Sequence, residues 1–384
     1  MTLRVEHAQC DDLRQLHPAY FAIVMATGIL ALGAYEHAVP LVPGVLLWLN
    51  LALYVVLSAA LVTRAVRYRA EFIADLHSHS RGVGFFTVVA ATAVLGIQLA
   101  AQMRAYGAAM AVLAAAGVLL VICTYGILTL LTVNPRKPSI VEGLNGGWLV
   151  SIVASQAVAR LTVMVAAADA SAHTAQVLTF VALVLWLGGG ALYLWIMTLI
   201  FFRYTFLPMQ PAELTPPYWI NMGAVAISAL TGTTLIENAG LSPVVAGMLP
   251  FVKGFTLFFW SIGSWWIPML LLLGIWRHVV HEVPFRYDPL YWGAVFPLGM
   301  YSVSTNHLAS ALDAPFLSPL STAFLYIAAI AWTVTLLGLI DSFRFKFVAE
   351  CAGQDQTAGQ QGNAIAKGAG AAGFAAASPD DQGN

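Results

Sequence analysis

The sequence predicts an all-α membrane protein with ten transmembrane helices. Of its 384 residues, 60% are apolar and only 9% are charged, whereas a soluble domain carries roughly 25% charged residues. A helix needs about 20 apolar residues to cross a bilayer, so ten crossings use roughly 200 residues of this chain. The net charge of −1 excludes nucleic-acid binding through general basicity. The lipid bilayer is therefore the expected surrounding.

Ten apolar runs, bounded by charged residues, proline or glycine, are the predicted spans. They lie at 18–36, 42–63, 82–102, 106–131, 145–167, 174–202, 217–237, 251–276, 289–307 and 317–342. This division gives an N-terminal segment at 1–16, a transmembrane domain at 17–346 and a tail at 347–384. The tail is rich in glycine, alanine and glutamine, a composition that predicts disorder.

Basic residues predict the orientation of the spans. Fourteen of the 17 lysines and arginines fall on the side of the N-terminus, leaving only Arg104 and Lys253 opposite and Arg160 inside the fifth span. Basic loops stay in the cytoplasm. We therefore expect both termini to be cytoplasmic and the protein to cross the inner (plasma) membrane several times.

The odd-numbered spans begin alike. Each has an aromatic residue near its start, at spacings of 65, 62, 71 and 73 residues: Phe21, Phe86, Trp148, Trp219 and Trp292. Proline suits the first turn of a helix, and aromatic residues favour the membrane interface. These aromatic anchors predict five helical hairpins, with one helix of each around an axis and its partner outside. The alternative is that any helix entering from the cytoplasm starts in this way.

Four segments resemble a known family: HPAYFAIVMATGIL, NPRKPSIVEGLNGGWLVSIVASQ, LTPPYWINMGAVAIS and RYDPLYWGAVFPLGMYSVST. They are similar to the tellurite-resistance/C4-dicarboxylate transporters, of the voltage-dependent anion channel superfamily that includes plant guard-cell slow anion channels. The resemblance covers about residues 17–345. It implies five hairpins in pseudo-five-fold arrangement around a central pore, a homotrimer, and small anions as substrates (chloride or nitrate, sulfite or tellurite, or C4-dicarboxylates). It implies no cofactor.

The resemblance also implies that a phenylalanine on the ninth helix occludes the pore, and this residue corresponds to Phe296. It lies four residues after its aromatic anchor, and the same position in the other hairpins holds Met25, Ala90, Ile152 and Gly223. One bulky ring among mostly smaller side chains fits a plug, although a phenylalanine packed between helices is the alternative. Pro297 is expected to kink this helix.

Further along the same helix face, most positions are apolar, and an apolar wall suits weak binding or a dewetting constriction. The pore-lining candidates there are Ser155, Gln156 and Met300. Twelve residues after the anchors, a polar layer is predicted from Gln98, Arg160, Thr231 and Ser304. A basic residue this deep in a span is costly and usually functional. Pairing of Arg160 with Glu237, or an outward orientation, is the alternative.

Acidic residues avoid the middle of every predicted span, which favours a channel or facilitative transporter over a proton-coupled transporter of malate or sulfite. An intramembrane enzyme is the remote alternative. The chain lacks the HExxH and GxSxG motifs and a paired-aspartate constellation, and its three cysteines form no CxxC. We therefore expect no catalytic residues and no metal site. His307 is expected at the membrane interface.

Overall fold

The computed structural model describes residues 13–169 and 171–342. Those ranges contain helices and no strands, in agreement with the predicted all-α class. The tail at 347–384 and most of the segment at 1–16 lie outside the described residues. The described residues up to Val334 form one compact unit, and the described part of the second, 335–342, is the end of a helix.

Nine helices in the described part of the chain are long and apolar enough to cross a membrane. They are α1 (Pro18–Glu36), α2 (Val42–Arg67), α3 (Gly82–Met103), α4 (Tyr106–Val133), α5 (Gly146–Ala168), α6 (Ala172–Phe206), α7 (Pro216–Glu237), α8 (Leu249–Val280) and α10 (Pro315–Ser342). Several end later than predicted, because basic or aromatic residues at their ends remain helical beyond the apolar run. The chain is thus an all-α, multi-pass membrane protein.

The remaining predicted span is the helix α9, Trp292–Ala311. It is less apolar than the other nine because serines, a threonine, Asn306 and His307 fill its second half. Pro297 lies inside α9 with helical residues on both sides, so the helix is continuous there. The kink at Pro297 stays a prediction.

A single 3-10 turn opens each odd-numbered helix. These turns are Pro18–Phe21, Gly82–Phe85, Gly146–Leu149, Pro216–Trp219 and Pro289–Tyr291. Each contains its aromatic anchor or directly precedes it. Proline fits three of these starts because its missing N–H has no partner in the first turn of a helix. The local sequence repeat is therefore also a repeat of local structure.

The odd-numbered helices are buried and their partners are not. In α1, α3, α5 and α7, 83% to 89% of the most apolar stretch is buried, against 17% to 39% in α2, α4, α6, α8 and α10. In the lipid bilayer, the exposed apolar side chains of these outer helices face lipid and need no covering layer of protein. The odd helices contact one another in the order α1, α3, α5, α7 and α9, and α9 contacts α1. We call them the inner ring.

Small residues allow the inner helices to approach closely. A Cβ atom added at Gly223 of α7 would lie 2.6 Å from the Pro297 side chain of α9. One added at Gly28 of α1 would lie 2.5 Å from Val94 of α3. The even helices α2, α4, α6 and α8 each pack on the inner helix that precedes them, and Ser321 of α10 exchanges hydrogen bonds with Ser302 of α9.

The inner ring has two ends, which we call the N-terminal mouth and the C-terminal mouth after the helix ends found there. The connections at the N-terminal mouth hold most of the described basic residues. One of them includes the short helix Arg69–Leu76, in which Asp75 pairs with Arg64 at 2.7 Å and with Arg81 at 2.6 Å. This network fixes the connection between α2 and α3. Which mouth faces the cytoplasm stays a prediction.

Candidate functional site

A cavity of about 370 Å³ opens at the N-terminal mouth and receives residues from all five inner helices. Its wall is mainly apolar. The lining residues furthest along their helices are Met25, Val153 and Phe296, each four or five residues beyond its aromatic anchor. The Phe296 side chain is 1% exposed. The cavity therefore extends from the mouth to the ring of Phe296.

Several polar groups of this cavity are engaged within the protein. Arg203 donates to the Leu144 carbonyl and the Tyr218 hydroxyl and pairs with Glu213 at 3.4 Å. His17 Nδ1 accepts a hydrogen bond from the backbone N–H of Ala19 at 3.0 Å. Burial, followed by the positive charge of Arg81, lowers the pKa of His17 to about 4. His17 is therefore neutral at physiological pH.

The other residues predicted around Phe296 lie within the helix packing. Ala90, Ile152 and Met300 are buried, and Gly223 faces Pro297. None of these four is among the residues that line either mouth. These four residues are thus buried and mostly small or apolar; Ala90, Ile152 and Gly223 lie at the level of Phe296, and Met300 lies one turn further along α9.

Ser155 and Gln156 are directed to an outer helix. The Ser155 hydroxyl donates to the Leu185 carbonyl at 3.2 Å, and the Gln156 amide donates to the Trp186 carbonyl at 3.0 Å. Both carbonyls belong to α6. In an apolar environment, a polar side chain gains most by meeting an available carbonyl group. Neither residue lines either mouth, and their proposed place on the pore wall stays a prediction.

The predicted polar layer does not form one connected group. Gln98 accepts from Asn50 of α2 at 2.6 Å. Thr231 donates to the Gln156 carbonyl at 3.0 Å, and Ser304 donates within its own helix at 3.1 Å. Of the four residues, Arg160 lines the cavity at the C-terminal mouth.

The C-terminal mouth contains a cavity of about 340 Å³ with a charged wall. All five inner helices contribute to it; its lining includes Tyr35, Ala101, Arg104, Tyr106, Arg160, Thr234, Glu237 and His307. The same five helices therefore line a cavity at each of their two ends.

Four side chains join the inner helices at this mouth. His307 Nε2 lies 3.0 Å from Glu36 Oε1, and His307 Nδ1 lies 2.9 Å from Glu237 Oε1. Arg160 lies 4.0 Å from the same Glu36 oxygen. We call Glu36, Arg160, Glu237 and His307 the ionic cluster. It connects α1, α5, α7 and α9.

Sequence reasoning left Glu36 and His307 outside the site, although the repeat contained a signal for them. Both lie 15 residues after their aromatic anchors, and Ala101 and Thr234 occupy the same position in their helices. Ala101, Thr234 and His307 line the C-terminal cavity, and Glu36 contacts His307. Extending the comparison of hairpins by three positions beyond Arg160 would have identified this layer.

Comparisons with known proteins agree with this architecture. The sequence profile of the voltage-dependent anion channel family matches residues 15–340. An uncharacterized membrane protein of Mycobacterium tuberculosis is 39% identical over 151 residues, which is 39% of this chain and 75% of that protein.

Two further relatives align over most of the chain. An uncharacterized transporter of Methanocaldococcus jannaschii is 24% identical over 340 residues, covering 86% of this chain and 95% of its own. A sulfite efflux pump of Arthroderma benhamiae is 22% identical over 344 residues, covering 84% and 89%. The names of the relatives and of the profile indicate a transporter or channel rather than an enzyme. The family match includes all five inner helices and both mouths, and the chain therefore belongs to the voltage-dependent anion channel family.

Proposed function

We propose that this protein passes small anions along the axis of the inner ring, as a channel or facilitative transporter, and that Phe296 closes the path. One observation carries the proposal. The five inner helices line a cavity at each of their two ends, and the N-terminal cavity reaches Phe296. A single buried ring at the deep end of an otherwise open cavity is a suitable plug.

The wall around the proposed gate suits rapid passage rather than strong binding. Buried apolar side chains such as Val94, Ile227 and Met300 lie one helical turn beyond the level of Phe296, and hydrophobic constrictions close pores by excluding water. The relative named as a sulfite efflux pump supports oxoanions of sulfite size as substrates. Chloride, nitrate, tellurite and C4-dicarboxylates are the other proposed substrates. We further propose a homotrimer in the plasma membrane with both termini in the cytoplasm.

Planar-bilayer recording of purified protein tests the gate. Phe296→Ala removes the ring, and we expect the chloride and nitrate conductance to rise at least about tenfold, which corresponds to a barrier lowered by about 1.4 kcal/mol. Sulfite and malate are recorded in the same membranes to rank the anions. The matched control is Phe201→Ala, which removes a ring from the exposed face of α6, where Phe201 is 45% exposed.

Conductance of the Phe201→Ala variant should equal that of the wild type. Equal currents for wild type and Phe296→Ala, with normal yield and folding, would contradict the gate. If neither protein passes any anion, the transport proposal itself fails.

A proton-coupled secondary transporter is the second candidate, and the ionic cluster is the observation that favours it. The Glu36 side chain is only 17% exposed and contacts His307, and buried ionisable groups form proton relays in transporters. Flux into liposomes under an imposed pH gradient separates the two candidates. A coupled transporter accumulates the anion against its own gradient, whereas a channel does not.

A further inference from the structure

We propose that the Glu36 carboxylate occupies, as a tethered anion, a binding site for the transported anion at the C-terminal mouth. Arg160, His307 and Asn306 form this site. The inference rests on the proposed function and adds to it a specific anion site and a second closure, distinct from Phe296.

Donors from two helices converge on this one carboxylate. His307 Nε2 lies 3.0 Å from Glu36 Oε1, Arg160 lies 4.0 Å from the same oxygen, and Asn306 Nδ2 lies 3.5 Å from Oε2. Carboxylate oxygens accept hydrogen bonds, and the arginine and asparagine groups donate them. Because both ring nitrogens of His307 face carboxylate oxygens, the ring suits the doubly protonated, cationic form. The surroundings of the carboxylate are those of a bound anion.

Arg160 has unused capacity for an anion. Its side chain is 5% exposed, and the distance of 4.0 Å to Glu36 is that of an ion pair without a hydrogen bond. Its Nε atom is buried and has no hydrogen-bond partner. A buried donor without a partner is unfavourable, more so when it is charged. An anion that comes closer to the guanidinium group than Glu36 therefore satisfies donors that the carboxylate leaves unpaired.

The pairing of Glu36 with Arg160 reaches across the inner ring. Glu36 belongs to α1 and Arg160 to α5, and these helices are separated in the ring by α3. The contact therefore crosses the interior instead of following one seam between neighbouring helices. In this conformation the two side chains obstruct the path that the transported anion would take.

Exchange of Glu36 for a free anion keeps the charge balance of the site. Breaking a buried ion pair by removing one partner is strongly unfavourable, because a buried charge is left uncompensated. If the carboxylate moves out as another anion enters, Arg160 and His307 always face one negative charge from this side. Glu237 continues to accept from His307 Nδ1 and holds the ring in place.

The donor set indicates the class of anion. A guanidinium group binds planar, two-oxygen anions through parallel hydrogen bonds. The site is therefore expected to favour a small monoanion with two oxygens on one central atom over chloride; nitrate and a carboxylate are planar examples, and hydrogensulfite is a pyramidal one.

Thermal-shift titration of the purified protein with sodium nitrate at constant ionic strength tests the site without relying on conduction. In Glu36→Gln, the competing charge is absent, and we expect nitrate to bind at least about tenfold more tightly than in the wild type. Adding Arg160→Gln to this variant should abolish the gain. Asp313→Asn is the matched control, because it removes one exposed negative charge at the same mouth and touches none of the donors.

A second variant covers the case in which Glu36→Gln does not fold. Glu36→Asp keeps the charge but withdraws the carboxylate by one methylene group, and an intermediate gain in nitrate affinity is expected. Unchanged nitrate affinity in the Glu36 variants, or an equal gain in Asp313→Asn, would overturn the inference. Tight nitrate binding in a protein that passes no anion would overturn the proposed function and leave this site standing.

Discussion

The two mouths of the inner ring differ in their chemistry. At the N-terminal mouth, an apolar cavity reaches the buried ring of Phe296, and Arg203 and His17 at its rim make hydrogen bonds within the protein. At the C-terminal mouth, the closing contacts are ionic and join four of the five helices. One set of helices thus presents a buried aromatic ring near its start and an ionic cluster near its end.

If Phe296 and Glu36 act as we propose, they form two barriers in series for an anion that follows the axis. An aromatic plug excludes anions by size and by loss of water. In the proposed anion site, the ionic cluster excludes them because the Glu36 carboxylate already occupies it. A substitution that removes one barrier should therefore raise the conductance only as far as the remaining barrier allows.

The largest effect is expected from opening both ends together. In the double variant Phe296→Ala/Glu36→Gln, we expect nitrate conductance to exceed the product of the two single effects. The physical reason is that a second barrier in series hides the effect of removing the first. Planar-bilayer recording of the wild type, the two single variants and the double variant gives the complete double-mutant cycle.

Phe296→Ala/Asp313→Asn is the control for that cycle, since Asp313 lies at the same mouth but outside the ionic cluster. If the conductance gain of Phe296→Ala/Glu36→Gln equals the product of the two single gains, the two ends act independently and the proposal of two barriers in series is contradicted.

A smaller effect is expected from the packing of the ring. Gly223→Ala places a Cβ atom 2.6 Å from the rigid ring of Pro297, the residue after Phe296. Gly33→Ala, which lies toward the C-terminal mouth, places a Cβ atom 3.0 Å from the end of the Leu325 side chain. Overpacking against a rigid partner costs about 1–3 kcal/mol, and a flexible side chain can move away. Denaturant unfolding in detergent should show a clear loss of stability for Gly223→Ala only.

Gly117→Ala serves as the reference for that pair, because a Cβ atom there meets nothing within 4 Å. Equal stabilities of the Gly223 and Gly33 variants would show that the two halves of the ring are packed with the same tolerance.

The smallest effect concerns the pH response of the N-terminal mouth. The pKa of His17 is lowered from 6.5 to about 4, so between these pH values the unfolded chain binds more protons than the folded one. Stability should therefore fall as the pH drops from about 6.5 to 4 and be unaffected by His17 above that range. Thermal unfolding of the wild type and of His17→Gln across pH 4–8 measures this contribution of His17 to stability.

The stability of the His17→Gln variant relative to that of the wild type should increase toward acid pH. A constant difference across the range would mean that His17 keeps its ordinary pKa.

Much of the fold could be predicted because lipid imposes simple rules on sequence. Run length and apolarity located the spans, and the repeated proline and aromatic residues marked the starts that the structure forms as 3-10 turns. Arg160 was also identified from the sequence alone, because a basic residue so deep in a span is conspicuous. Its partner Glu36 was not, since an acid at a helix end looks like an ordinary interfacial residue.

Helix phase could not decide where polar side chains point. Ser155 and Gln156 lie near the predicted pore face, but their hydrogen bonds go to α6 carbonyls. A long amide or a hydroxyl can turn away from its ideal direction when a carbonyl of a neighbouring helix is within reach. Such partners are defined only by the packing of α5 on α6.

The sequence by itself determined the membrane class, the spans and the repeated helix starts, because these depend on local apolarity and on first-turn chemistry. The tertiary structure decided that α9 meets α1, that Arg160 of α5 forms an ion pair with Glu36 of α1, and that His307 lies between Glu36 and Glu237. These contacts join residues far apart in the sequence, and no local pattern specifies which two side chains will meet.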